Sequence, residues 1–115
     1  MEKNETTNEH IFERLFAVIE SRKTASPDSS YTARLLHQGL PAINAKITEE
    51  AAEVVEAAGG NDPDHLIHEI ADLFYHTLVL AAHQGVSLER IQGELGRRFG
   101  VSGLEEKAAR KQKEK

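Results

Sequence analysis

The sequence predicts an all-α fold, a helical bundle of about five helices, and three observations lead there. Apolar residues recur three and four positions apart. Val, Ile and Thr nowhere alternate with polar residues as a half-buried strand requires. Turn and cap residues (TASPDS, Gly39, Gly59-Gly60, Asp62-Pro63, Gly85) divide the chain into segments of helical length. From about Glu9 to Arg22, Ile11, Phe12, Leu15, Phe16 and Ile19 form one stripe, with Asn8 or Thr7 as its cap. Thr24–Ser29 reads as a loop. Ser29 or Ser30 then caps a short helix, Tyr31–Gln38, closed by Gly39. Pro41 suits the first turn of a third helix, where its missing N–H costs nothing, and that helix runs to about Ala58. Asp62-Pro63-Asp64 opens a fourth, ending near Gln84. Ser87 caps a fifth, Leu88 to about Arg98, and Ser102-Gly-Leu-Glu105 matches a capping box for a short terminal helix.

Composition narrows the function. A chain of 115 residues and 12.7 kDa is expected to form a single domain, 1–115, with flexible ends at about 1–8 and 112–115. With no cysteine, thiolate metal sites, iron–sulfur clusters and cysteine nucleophiles are excluded. No apolar run reaches the roughly 18 residues that span a bilayer, and the polar start MEKNETTNEH is no signal peptide, so no membrane partner and a cytoplasmic location are expected. The net charge of −5 divides unevenly: residues 97–115 carry +4 and residues 1–96 carry −9. An acidic body repels phosphates, so nucleic acid is an unsuitable partner. It meets a small polyphosphate only with cations between the two.

The third and fourth helices carry the chemistry. On the third, Glu49, Glu50, Glu53 and Glu56 share one side with Lys46, while Ile43, Ile47, Ala51, Val54, Val55 and Ala58 occupy the other. On the fourth, His65, Glu69, Asp72 and His76 make a narrow polar stripe beside a broad apolar arc that holds Leu66, Ile67, Ile70, Leu73, Phe74, Leu78 and Leu80. A helix with so narrow a polar stripe as the fourth is expected to be mostly buried, in the middle of a bundle. Carboxylates at i and i+3 on one helix can converge on one ion. Two such pairs, Glu50-x-x-Glu53 and Glu69-x-x-Asp72, form a cage of oxygen ligands suited to Mg²⁺. Without a cation, that many like charges repel and raise each other's pKa. Bound cations remove the penalty, and a ligated or carboxylate-held water can then attack phosphorus.

Blander explanations compete. Most charge runs are solvated faces, and for the third helix alone that explanation is about as good as the metal site. Glu69 and Asp72, set in a largely apolar helix, are harder to explain that way. Tyr75 and His76 taken alone suit packed core positions equally well, and His68 and His83 read as structural or exposed. Glu-x-x-His di-iron pairs, a His-Glu-x-x-His zinc motif and a Gly-x-x-x-x-Gly-Lys phosphate loop are all missing from the sequence.

Lys46-Ile-Thr-Glu-Glu-Ala-Ala-Glu53 followed by Glu69-Ile-Ala-Asp-Leu-Phe-Tyr-His76 resembles the E-E-x-x-E…E-x-x-D signature of all-α nucleoside-triphosphate pyrophosphohydrolases. Pro27-Asp-Ser-Ser-Tyr-Thr-Ala-Arg34-Leu-Leu, Arg97-Arg98 and Ser102-Gly-Leu-Glu-Glu-Lys-Ala-Ala-Arg110 narrow the resemblance to the phosphoribosyl-ATP pyrophosphatase family, over about residues 10–111. That resemblance implies Mg²⁺-dependent hydrolysis of phosphoribosyl-ATP to phosphoribosyl-AMP and pyrophosphate, early in histidine biosynthesis. It also implies a bundle completed by homodimerisation. Glu50, Glu53, Glu69 and Asp72 match the metal carboxylates. Glu49 and Glu50 are the candidate bases. Lys46, Tyr75, His76, Lys107 and Arg110 match substrate-side positions. Thr48 departs from the pattern, standing where many relatives carry glycine. Two roles stay open for Tyr31 and Arg34: contact with the ribose phosphate or base, or anchoring of the short second helix. The alternatives are a house-cleaning pyrophosphohydrolase acting on other nucleotides, and a non-catalytic helical dimerisation module.

Overall fold

The computed structural model describes residues 8–100. In chain order they form α1 (Ile11–Ser21), two 3-10 turns (Arg22–Thr24 and Pro27–Ser29), α2 (Tyr31–Gln38), α3 (Leu40–Ala58), α4 (Pro63–His83) and α5 (Leu88–Phe99). No strand occurs among the described residues, and the all-α class holds. None of the described helices is long and apolar enough to cross a membrane. The terminal helix expected from Ser102 lies outside the described residues, as do Lys107 and Arg110.

Local chemistry sets most helix ends. The Ser30 side chain accepts a hydrogen bond from the Ala33 N–H at 3.0 Å and starts α2. The Asp62 carboxylate accepts from the N–H groups of Asp64 and His65 and starts α4 behind Pro63. The Ser87 side chain accepts from the Arg90 N–H and starts α5. Each such cap satisfies an N–H that the first helical turn leaves without a partner. Gly39, at φ 93°, turns the chain directly from α2 into α3, a conformation that side chains with a Cβ resist. The start of α1 departs from the expected cap. Its N-cap is His10, in the left-handed region at φ 58° and without a side-chain hydrogen bond, not Asn8 or Thr7.

The described chain divides into two compact units, one ending at Gly85 and the other beginning at Val86. In the first, α3 and α4 make the most extensive helix pair, α1 lies on α4, and α2 lies on α3 and the 3-10 turns. Ile19, Ala33, Leu35, Ile43, Val79 and Ala82 fill its core. In the second unit α5 holds Glu94 against Arg97 and Arg98, both at 2.7 Å, and the two guanidinium groups pull the Glu94 pKa down to about 2.

Burial on α3 and α4 is shared between apolar and acidic residues. On α3 the buried residues are Ile43, Glu50 and Ala57, whereas Ala51 and Ala58 are exposed and Val55 is 74 % exposed. On α4, Glu69 and His76 are buried with Leu78, Val79, Ala81 and Ala82, whereas Ile67 is 62 % and Phe74 50 % exposed. The helices have turned their acidic stripes toward each other. Part of each apolar arc is left exposed in the single chain.

Candidate functional site

The seam between α3 and α4 is built by register. A four-residue connection, 59–62, joins the helices, which makes them antiparallel neighbours. Glu50 interacts with Asp72 and Glu53 with Glu69, so each turn forward on α3 meets a turn backward on α4. One turn before Glu50 stands Lys46; one turn after Asp72 stands His76, and the charge of Lys46 reaches it. Level with one another, therefore, are a basic and aromatic layer (Lys46, His76) and two acidic layers (Glu50 with Asp72, Glu53 with Glu69).

Oxygen atoms from Glu50, Glu69 and Asp72 all lie within 4.8 Å of one another. Glu50 is 5 % exposed and Glu69 9 %. One oxygen of each, Oε1, is buried with no hydrogen-bond partner. An unpartnered buried carboxylate oxygen ordinarily costs a few kcal/mol, so this trio is unstable as an empty arrangement of anions. Burial, then the charges of Asp72 and Glu53, push the Glu50 pKa up to about 7. The Glu53 pKa is also raised, foremost by interaction with the Glu69 carboxyl. Both shifts have the sign expected of like charges forced together without a cation. The donor set is all oxygen, close-set and partly buried, and it fits a hard divalent ion.

Surrounding contacts aim the carboxylates. His65 Nε2 lies 3.2 Å from Glu69 Oε2, and His68 Nε2 lies 3.3 Å from Asp72 Oδ2. Glu69 thus turns one oxygen inward and the other to an imidazole. Sequence reasoning passed over these two contacts, although their i,i+4 spacing was legible. Lys46 Nζ sits 3.2 Å from Glu49 Oε1, and that contact raises the lysine pKa. Glu49 itself is exposed and stands outside the close trio.

His76 is 6 % exposed and both ring nitrogens are engaged. Nδ1 lies 3.0 Å from the Asp72 carbonyl, which only accepts, so Nδ1 carries the proton. Nε2 is then the acceptor for the Tyr31 hydroxyl at 2.9 Å. Burial, the largest influence, holds the imidazole below its usual pKa. The hydroxyl of Tyr75 pairs with Thr32 Oγ1. Tyr75 and His76, the expected substrate-side residues, are therefore placed against α2.

Residues 12–99 match the family model described as phosphoribosyl-ATP pyrophosphohydrolase. The chain belongs to this family. It is similar to proteins named phosphoribosyl-ATP pyrophosphatase from several bacteria. The one from Trichlorobacter lovleyi is 55 % identical over 106 residues, covering 92 % of this chain and 98 % of that protein. The one from Methylococcus capsulatus is 50 % identical over 101 residues, covering 88 % and 96 %. The one from Pelobacter propionicus is 45 % identical over 105 residues, covering 91 % and 97 %. The matched span contains both carboxylate pairs, Lys46 and the Tyr31–His76 contact. The acidic seam therefore lies within the part of the chain that defines the family.

Proposed function

We propose that this chain hydrolyses phosphoribosyl-ATP to phosphoribosyl-AMP and pyrophosphate, early in histidine biosynthesis, with Mg²⁺ at the seam between α3 and α4. The observation that carries this is the convergence of Glu50, Glu69 and Asp72 oxygens within 4.8 Å, two of them buried without a partner, in a member of this family. Glu50, Glu53, Glu69 and Asp72 hold the ion. When bound, Mg²⁺ supplies positive charge for the phosphate oxygens of the substrate. Glu49, open to water and fixed by Lys46, suits the task of orienting the attacking water and taking its proton better than Glu50, which is engaged as a ligand. Lys46 remains close enough to meet a phosphate as the substrate enters. Lys107 and Arg110 complete the set on the strength of the resemblance and belong with the substrate phosphates.

The chain is proposed to work as a homodimer. In the single chain Phe12, Val55, Ile67 and Phe74 are all exposed, and the Phe12 and Phe74 rings meet edge to face at 5.8 Å. These are the side chains that the amphipathic pattern marks for burial, and a second copy would cover them.

The test is pyrophosphate release from phosphoribosyl-ATP, with Mg²⁺ and with chelator. Turnover should need the metal and should fall by at least about a thousandfold in Glu69→Ala and in Asp72→Ala, while far-UV circular dichroism stays helical. A near-normal rate in either variant would remove the proposed site.

A further inference from the structure

We infer that Tyr31 is a specificity-determining residue, a fixed aromatic platform for the nucleoside part of the substrate, and that His76 is the positioning residue that holds it. The inference rests on the proposed nucleotide chemistry of the seam and extends it from the phosphates to the base.

Tyr31 opens α2 and is held on three sides. Its hydroxyl donates to His76 Nε2 at 2.9 Å, its ring meets the His76 ring edge to face at 5.9 Å, and it stacks beside Tyr75 at 6.4 Å. Despite these ties the residue is 44 % exposed. A tyrosine needed only to anchor α2 would bury its ring. This one is immobilised through its hydroxyl while leaving much of its surface open, as a preformed binding surface requires. His76 transmits the position. It is buried, and its Nδ1–H donates to the carbonyl of Asp72, one helical turn away and itself part of the carboxylate trio. A turn of helix rises about 5.4 Å, so His76, which holds the platform, stands one turn from Asp72 of the carboxylate trio. Tyr31 lies near enough to Lys46, Glu50 and Glu49 to feel their charges. A ring beside a phosphate-binding site recognises a base by its π face, whereas the carboxylates and their ion recognise only phosphate.

The two kinds of recognition separate experimentally. Full-length Tyr31→Ala and Tyr31→Phe are compared with wild type using phosphoribosyl-ATP as substrate and inorganic tripolyphosphate, which has no base, as competitive inhibitor. Tyr31→Ala should raise the KM for phosphoribosyl-ATP by roughly 10- to 100-fold, the measured scale for loss of base stacking. Its inhibition constant for Mg²⁺-tripolyphosphate should stay within about twofold of wild type. Tyr31→Phe keeps the ring but loses the bond to His76, so it should recover only part of the lost affinity and match His76→Gln. His76→Gln should weaken phosphoribosyl-ATP more than tripolyphosphate. Equal losses for both ligands in Tyr31→Ala would show a frame for the whole site and overturn the inference, as would an unchanged KM. A wild type that neither turns over phosphoribosyl-ATP nor binds Mg²⁺-tripolyphosphate would instead overturn the proposed function, and the inference with it.

Discussion

Replacing Glu50 with glutamine should make the metal-free protein more stable at alkaline pH. Glu50 is 5 % exposed, faces Asp72 and Glu53, and keeps one oxygen without a partner. Its folded pKa of about 7 lies above the ordinary 4.5. The sign follows from linkage. Below the unfolded value both states bind the proton and the native carboxyl is neutral. Between 4.5 and about 7 the folded state binds more protons than the unfolded state, so stability falls as pH rises. Above that window the wild type carries the whole cost of a buried anion among anions. A shift of one unit corresponds to about 1.4 kcal/mol, which sets an upper bound near 3.5 kcal/mol. Water reaches the half-exposed Asp72 side of the cluster, so roughly 1–2 kcal/mol is the expected cost. Glutamine has nearly the same shape, carries no charge and donates to the neighbouring carboxylates. Metal-free E50Q should therefore melt on the order of 5–10 °C above wild type at about pH 8.5 and close to wild type at about pH 4. Added Mg²⁺ should reverse the order at high pH, stabilising the wild type more than the variant. A calorimetric melt at both pH values, with chelator and with Mg²⁺, is the assay. An E50Q protein less stable than wild type at high pH without metal, or a difference that does not change with pH, would refute the electrostatic picture of the seam.

Other consequences are simpler. His76→Ala removes a buried ring with two hydrogen bonds and should cost about 2–4 kcal/mol of stability, read from urea unfolding. Phe74→Glu places a charge on the exposed apolar face beside Phe12 and should shift sedimentation toward the monomer without loss of helix; an unchanged dimer would exclude this face as the interface. Glu69→Ala and Asp72→Ala should abolish pyrophosphate release, as set out above.

The sequence carries much of the fold in short-range chemistry. Ser30, Asp62 before Pro63 and Ser87 each mark a helix start by a hydrogen bond within three residues, and Gly39 before Pro41 marks one by its positive φ. The carboxylates of the trio were legible too, because i,i+3 spacing on two helices is a local signal. Whether the glutamates of α3 formed a solvated face or a seam was not, and the structure buries Glu50 while Ala51, Val55 and Ala58 stay exposed. Periodicity records where apolar surface is. It cannot say whether that surface meets the same chain's core or waits for another partner. The bonds from Tyr31 to His76 and from Thr32 to Tyr75 join residues more than forty positions apart, beyond any spacing rule. His76 is buried with both ring nitrogens in use, which fits the packed position that the sequence left open beside a substrate-side one. His10 starts α1 in the left-handed region without a side-chain bond, so it leaves no capping signal in the sequence.

The central claim is that acidic side chains of α3 and α4 share one divalent cation. The most direct measurement is anomalous diffraction from crystals grown with Mn²⁺, a hard ion that takes the same oxygen ligands and can be located by its own scattering. A single strong peak bonded to oxygens of Glu50, Glu69 and Asp72 is the expected result. An empty seam at saturating Mn²⁺, with the three carboxylates still turned toward one another, would contradict it.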